Sequence, residues 1–199
     1  MNFIRSSHST SAAPAPGSVS YAAVPDAEHP GAGWAWREVL VPRAELADRA
    51  PARLAGTWAA EALRVAAWRP RFGAETDHRT IPHEVDWLRT AVHLQKGCYR
   101  GQETVARVHN LGRPPRRLVL LHLDGSENRL PPAGSPVSYE GRDVGFVGSS
   151  ARHHELGPIA LALVKRNVPV DATLTVDEMP AAQEVVVDPE VGLHVRPLR

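Results

Sequence analysis

Two adjacent prolines, Pro114 and Pro115, constrain this chain more than any other feature. Neither can donate a backbone hydrogen bond, and each pushes the residue before it toward extended angles. The basic run Arg113-Pro114-Pro115-Arg116-Arg117 is therefore a stiff joint, and a domain boundary is expected there. Beyond it, short apolar runs recur at 118–123, 136–140, 144–147, 159–164, 172–176 and 185–187, each of a length suited to a strand. Asp124-Gly125, Glu140-Gly141-Arg142-Asp143 and Leu156-Gly157-Pro158 supply reversals between them. Leu118-Val119-Leu120-Leu121 is apolar enough for a buried barrel strand. The pattern predicts a small antiparallel β-barrel over residues 114–188, with 189–199 as a loosely held tail.

Before the joint the signals are mixed, so the whole chain reads as α+β. Trp36 to Val41 has the composition of a strand, and Pro42 opens a short helix through Ala47. Thr57 is a candidate N-cap for a helix from Trp58 to Leu63, which is expected to pass into a strand at Arg64 to Ala67 before Pro70 interrupts it. Residues 70–84 read as loop, and Trp87 to Leu94 as either one helical turn or an irregular packed stretch. Residues 34–113 form this α+β unit. Residues 1–33, rich in Ser, Ala and Pro, read as a leader that cannot bury enough apolar surface to order itself, and its Phe3-Ile4-Arg5 start is too short for a signal-peptide core.

The octet Lys96-Gly97-Cys98-Tyr99-Arg100-Gly101-Gln102-Glu103 carries the chain's one cysteine. After Gly101, Val105 and Val108 lie three apart, Glu103 comes early and Arg107 late, and Gly112 follows, so a short amphipathic helix is predicted from Gln102 to His109. Its free amides and positive dipole end would face the Cys98 loop, with Lys96 and Arg100 adding charge that favours thiolate over thiol. The alternative is a small buried hydrophobe, since free cysteine is among the most buried residue types. His78, His83, His93 and His109 flank the octet in sequence, and one of them could serve the thiol as a base.

The octet resembles the K-G-C-[FY]-x-G-Q-E motif of the YgfZ-type folate-binding proteins, relatives of the glycine-cleavage aminomethyltransferase. Arg71 to Asp77 and Thr80 to Glu84 resemble the family segment that leads to it, and Gly157 to Leu163 resembles part of the family's C-terminal barrel, so that the similarity runs from about residue 36 to 178. The resemblance implies the C-terminal part of a folate-binding, aminomethyltransferase-like α+β domain followed by a barrel. It implies a non-transferase protein that supports iron–sulfur cluster assembly or repair, with tetrahydrofolate as ligand and iron–sulfur enzymes or assembly factors as partners. Cys98 takes the place of the family's functional thiol, with Lys96, Gly97, Tyr99, Arg100, Gly101, Gln102 and Glu103 shaping its loop and the helix start.

The chain also departs from that family. No counterpart of the first folate-domain half is recognisable, so a truncated member, a misplaced start or a second polypeptide supplying that half is expected. Leu63-Arg64-Val65-Ala66 has alanine where the superfamily carries an acid at the folate site, and an unpaired buried ligand group costs about 1–3 kcal/mol. Folate binding is therefore expected to be weakened or lost. Glu84 could supply a carboxylate instead, or be a turn or surface group.

Other features narrow the function classes. Lysine and arginine total 23 against 22 acidic residues, a net charge of +1 that speaks against strong attraction to nucleic acid or membranes. No apolar run is long enough to cross a bilayer, and a single cysteine allows no internal disulfide, which suits a cytoplasmic protein. One thiol cannot hold an iron–sulfur cluster alone. Arg113, Arg116 and Arg117 could meet phosphate but fit a solvated edge better. Trp34, Trp36, Trp58, Trp68 and Trp87 could stack on a pterin but fit a core better. His153 and His154 on a strand would face opposite sides, so no metal site is expected. The rivals to an iron–sulfur support role are a folate-dependent one-carbon transferase of the aminomethyltransferase type and an inactive fragment serving as an interaction module; the reading leans away from an enzyme.

Overall fold

The apolar run after the prolines buries both of its faces. β3 (Arg116–Leu123) sends Val119, Leu121 and Leu123 into one hydrophobic cluster and Leu118 and Leu120 into another, as the two-residue period of a strand requires. The computed structural model describes residues 18–21, 28–32, 36–49 and 54–192. Trp34, the start of the expected leader and the tail beyond Gly192 lie outside the described residues.

The first cluster draws residues from six strands and is the interior of a closed antiparallel barrel. The strands are β3, β4 (Pro136–Tyr139), β5 (Arg142–His153), β6 (Gly157–Lys165), β7 (Leu174–Val176) and β8 (Met179–Val185). Their order around the barrel is β3-β6-β5-β4-β7-β8, and closure removes the open edges that other chains could pair with. The predicted barrel is thus present, with one strand displaced: β8 was expected at 185–187 and instead starts at Met179. The hairpin that shifts it turns on Asp177 and Glu178, both at positive φ (46° and 69°), between the paired Val176 and Met179. That is the pattern of a two-residue primed turn without its usual glycine or asparagine, which is why composition does not reveal it.

The second cluster lies on the outside of the barrel. Ala62 and Val65 of α2 (Thr57–Ala66) pack there against Leu118, Leu120, Ala151, Ile159 and Leu161. The expected strand at Arg64 to Ala67 is corrected: α2 continues to Ala66, because Ala62 and Val65 fall on one helical face with an apolar surface to cover. Thr57 is the first helical residue, and Gly56 takes the cap position.

Upstream, β1 (Ser18–Tyr21) pairs antiparallel with β2 (Trp36–Val39), and a 3-10 turn at Arg43–Glu45 runs into α1 (Leu46–Arg49). The leader reading is thereby corrected for 18–21 and 28–32: the first pairs in a sheet, and His29 in the second is buried. After α2 come a 3-10 turn at Pro82–Val85, the single-turn α3 (Trp87–Thr90) and α4 (Gln102–Leu111), close to the predicted span. The first residues of the tail are also held, with Val191 against the outer cluster and Arg113 donating to Glu190 at 3.0 Å. Among the described residues no helix is long and apolar enough to cross a membrane.

Candidate functional site

The end of α2 and the loop behind it build a polar hub on the barrel wall. Arg64 is buried, and its guanidinium donates to Glu61 Oε2 at 2.9 Å, to Ser149 Oγ on β5 at 2.7 Å, to the Arg69 carbonyl at 2.6 Å and to Glu75 Oε2 at 3.4 Å. Glu75 is fully buried and also accepts the Arg71 amide at 2.7 Å. The loop reaches this depth because β5 has Gly148 beneath it: a Cβ there would lie 2.7 Å from Glu75 Cγ and 2.9 Å from its Cα. Arg71 closes the arrangement by donating to Glu61 Oε1 at 3.0 Å.

Beside this hub is a cavity of about 360 Å³, within the usual size range of small-molecule pockets. Trp36 and Glu38 of β2 form one wall, Glu61 and Arg64 of α2 another, and Arg71, Phe72 and Trp87 complete it. Sequence reasoning missed Glu61 and Arg64. Their i, i+3 spacing on a helix and the arginines just after it were the available signal.

The octet lies outside that cavity, since none of its residues contributes to the walls. Lys96, Gly97, Cys98 and Arg100 are exposed on the loop before α4, and Tyr99 is half-buried with the Lys96 ammonium 5.4 Å from its ring centroid. Gly101 turns the chain into α4 at φ 85°, a left-handed angle that favours glycine. Gln102 donates its amide to the Tyr99 carbonyl at 3.2 Å, and Glu103 sits exposed in the first turn. Cys98 is therefore a free, exposed thiol, and the buried alternative does not hold. The histidines flanking the octet make no hydrogen bond to its thiol among the described residues. His78 and His93 are exposed, and the buried His83 has its ring 6.3 Å from that of His109.

Glu84 is not a surface group. It is fully buried, accepts Arg116 Nε at 2.9 Å and Nη2 at 3.0 Å, and takes the Ile81 amide at 3.1 Å, so both oxygens are committed. Arg116 also grips Asp77 at 2.6 Å. The hydrogen bonds from Arg116 hold the Asp77 carboxyl far below the usual carboxylate range, and those same bonds hold the guanidinium above its own. The solvated-edge reading of the basic joint is corrected for Arg116 and Arg117, while Arg113 is exposed. Arg117 lies inside, donating to the Val168 carbonyl at 3.1 Å and Gln183 Oε1 at 2.7 Å, and burial pushes its guanidinium down.

The core reading of the tryptophans holds for Trp68, which packs against the outer cluster, and is corrected for three others: Trp58 is 89% exposed, and Trp36 and Trp87 line the cavity. His153 and His154, expected on opposite faces, have ring centroids 4.4 Å apart, because β5 ends at His153 and the chain begins to turn.

Residues 116–190, which hold the barrel, match the glycine cleavage T-protein C-terminal barrel domain. Over 138 residues the chain is 31% identical to the tRNA-modifying protein YgfZ of Escherichia coli, an alignment that takes in 69% of this chain and 40% of that protein. The chain belongs to the YgfZ-type, aminomethyltransferase-related family. The YgfZ protein of Shigella boydii matches with the same identity and coverage. An aminomethyltransferase of Streptomyces avermitilis is 35% identical over 107 residues, 52% of this chain and 28% of that one. This YgfZ-type chain thus spans well under two thirds of the length of these relatives. Among solved structures, the glycine cleavage system aminomethyltransferase T from Bartonella henselae aligns with a TM-score of 0.50 at 20% identity, over 68% of this chain and 39% of that one, a likeness of fold.

Proposed function

We propose that the chain is an auxiliary factor that supports the assembly or repair of iron–sulfur clusters through the thiol of Cys98, with iron–sulfur enzymes or their assembly factors as partners. The observation that carries this reading is a single exposed thiol, presented by a glycine-flanked loop at the start of α4, in a chain of the YgfZ-type family. One thiolate is too few for a cluster, so Cys98 acts on or alongside ligands that a partner supplies. The exposure of the loop suits contact with another protein, whereas a thiol that turned over a small substrate would sit in a cleft.

Tetrahydrofolate, the ligand that the family resemblance implies, fits the cavity in part. Trp36, Phe72 and Trp87 offer flat faces, and Arg71 offers a cation for a carboxylate tail. The hydrogen-bonding side fits poorly. Ala66 stands where an acid is expected, and Glu61 is already shared between Arg64 and Arg71. Glu84 is locked to Arg116 away from the cavity walls, which leaves Glu38 as the other carboxylate in the wall. Unpaired pterin donors would cost about 1–3 kcal/mol each, so folate binding is weak and no chemical step is assigned to it.

Complementation tests the proposal. In a strain lacking the full-length YgfZ relative, this chain should restore the activity of iron–sulfur enzymes, and Cys98→Ala at equal protein level should not. Equal rescue by the two proteins removes the thiol from the function.

A further inference from the structure

The buried His29 plays no part in the site above, and its surroundings are specific. Its side chain is fully shielded from solvent, with the ring edge-on to Trp68 at 5.4 Å and an interplanar angle of 80°. Nδ1 accepts the Gly31 amide at 2.9 Å, which leaves the proton on Nε2, where it is donated to Asp86 Oδ2 at 3.2 Å. Asp86 is a fixed partner. It holds a left-handed φ of 62° before α3, and the Arg89 fork donates to both of its oxygens, at 2.6 and 2.9 Å, while also reaching the Val186 carbonyl.

We propose that His29 is a pH-operated latch, which in its neutral form fastens the turn at 28–32 against Trp68 and Asp86 and in its protonated form lets that turn go. The turn closely precedes β2 in sequence, whose Trp36 and Glu38 form one wall of the cavity, so the latch bears on how firmly that wall is held. A proton taken from solvent has one place to go, Nδ1. There it ends the acceptance of the Gly31 amide and sets two N–H groups face to face in a buried space. The charged groups facing the ring do not compensate. The Asp86 carboxylate attracts an imidazolium but is already satisfied by Arg89, and Arg89 and Arg69 both repel one. Burial is the largest influence and holds the imidazole below its ordinary range, against the pull of Asp86. The sign follows: docking of the turn is complete above the free histidine value of about 6.5 and weakens as pH falls below it, by up to tenfold per pH unit until the docked value is reached.

The test is hydrogen exchange on the full chain from pH 8 to pH 5, corrected for intrinsic exchange, together with the ring nitrogen resonances of His29. The expected result is an Nε2–H tautomer at pH 8 and loss of protection in residues 28–32 and 36–38 below about pH 6.5, with 159–165 of β6 unchanged. His29→Gln, which cannot take up a proton, should make protection of 28–32 and 36–38 independent of pH, whether the turn stays docked or not. Three outcomes overturn the proposal: wild-type protection that does not change with pH, loss of protection in β6 in parallel, or a His29→Gln variant that keeps the wild-type pH dependence.

Discussion

The barrel and the segment in front of it are built on different terms. The barrel closes on itself, and its interior is filled by side chains such as Leu121, Leu174 and Val176 that expose nothing to solvent. The upstream segment, 54–111, shares a strip of α2 and the Trp68 side chain with the barrel's outer cluster and is further tied down by polar anchors. Arg64 joins Glu61, Glu75 and Ser149, Arg116 joins Asp77 and Glu84, and Arg89 joins Asp86 and Val186. It also leaves Trp58 and Phe72 (85%) almost wholly exposed, and Cys98 exposed as well. Directional anchors fix a position without requiring a closed core, so the segment can present a thiol and an aromatic-walled cavity that a packed interior would hide. Close packing is concentrated in one region, and the exposed thiol and the cavity in the other.

The sharpest way to break this contrast is to cut an anchor. Arg116→Met would strand the fully buried Glu84 carboxylate without its counter-charge, a change that costs about 3–5 kcal/mol. The loss should fall on the upstream segment, so that hydrogen exchange rises across 77–111 while β5 and β6 stay protected. Equal loss in both regions would mean that the anchors and the core are one cooperative unit. A core truncation should give the complementary pattern. Leu121→Ala removes a fully buried interior side chain at about 2–5 kcal/mol, and the whole chain should then unfold in one urea transition of lower midpoint, because the anchors have nothing to hold without the barrel. An upstream segment that keeps its protection while the barrel melts would show that it folds on its own.

How far each region could be read in the sequence follows from the same difference. Barrel strands announce themselves by alternation and turn residues, and β3, β4 and β6 lie close to the runs that predicted them. Arg117 was legible in principle, since it shares the inward parity of Val119, Leu121 and Leu123, but a charge beside two prolines reads as surface. The hairpin at Asp177 and Glu178 was not, because nothing local marks two acidic residues as left-handed. The anchors resist sequence reading for a physical reason: Glu84 and Arg116 lie 32 positions apart and Arg64 and Ser149 lie 85 apart, and no period connects such pairs. The octet and its helix were visible as a local pattern. The cavity was not, for its walls come from β2, α2 and α3 and exist only once these are folded together.

Acid offers the gentlest probe of the contrast, through Asp77. Hydrogen bonds from Arg116, then Thr80 and the Arg79 amide, hold its carboxyl below the usual range in the folded chain, outweighing the smaller effect of burial. A carboxyl depressed in this way adds stability that is fully present above its unfolded value of about 3.9 and is lost as pH falls through the folded value. Because a third of the Asp77 side chain meets solvent, the contribution is smaller than that of the buried Glu84 pair and is weakened by salt. Wild type and Asp77→Asn should therefore differ in upstream protection by a constant amount from pH 7 to about pH 5, and the two should converge below about pH 4, with β5 and β6 indifferent throughout. No gap at any pH would mean that Arg116 draws its hold on the segment from Glu84 alone, and a gap that widens on acidification would reverse the sign argued for Asp77.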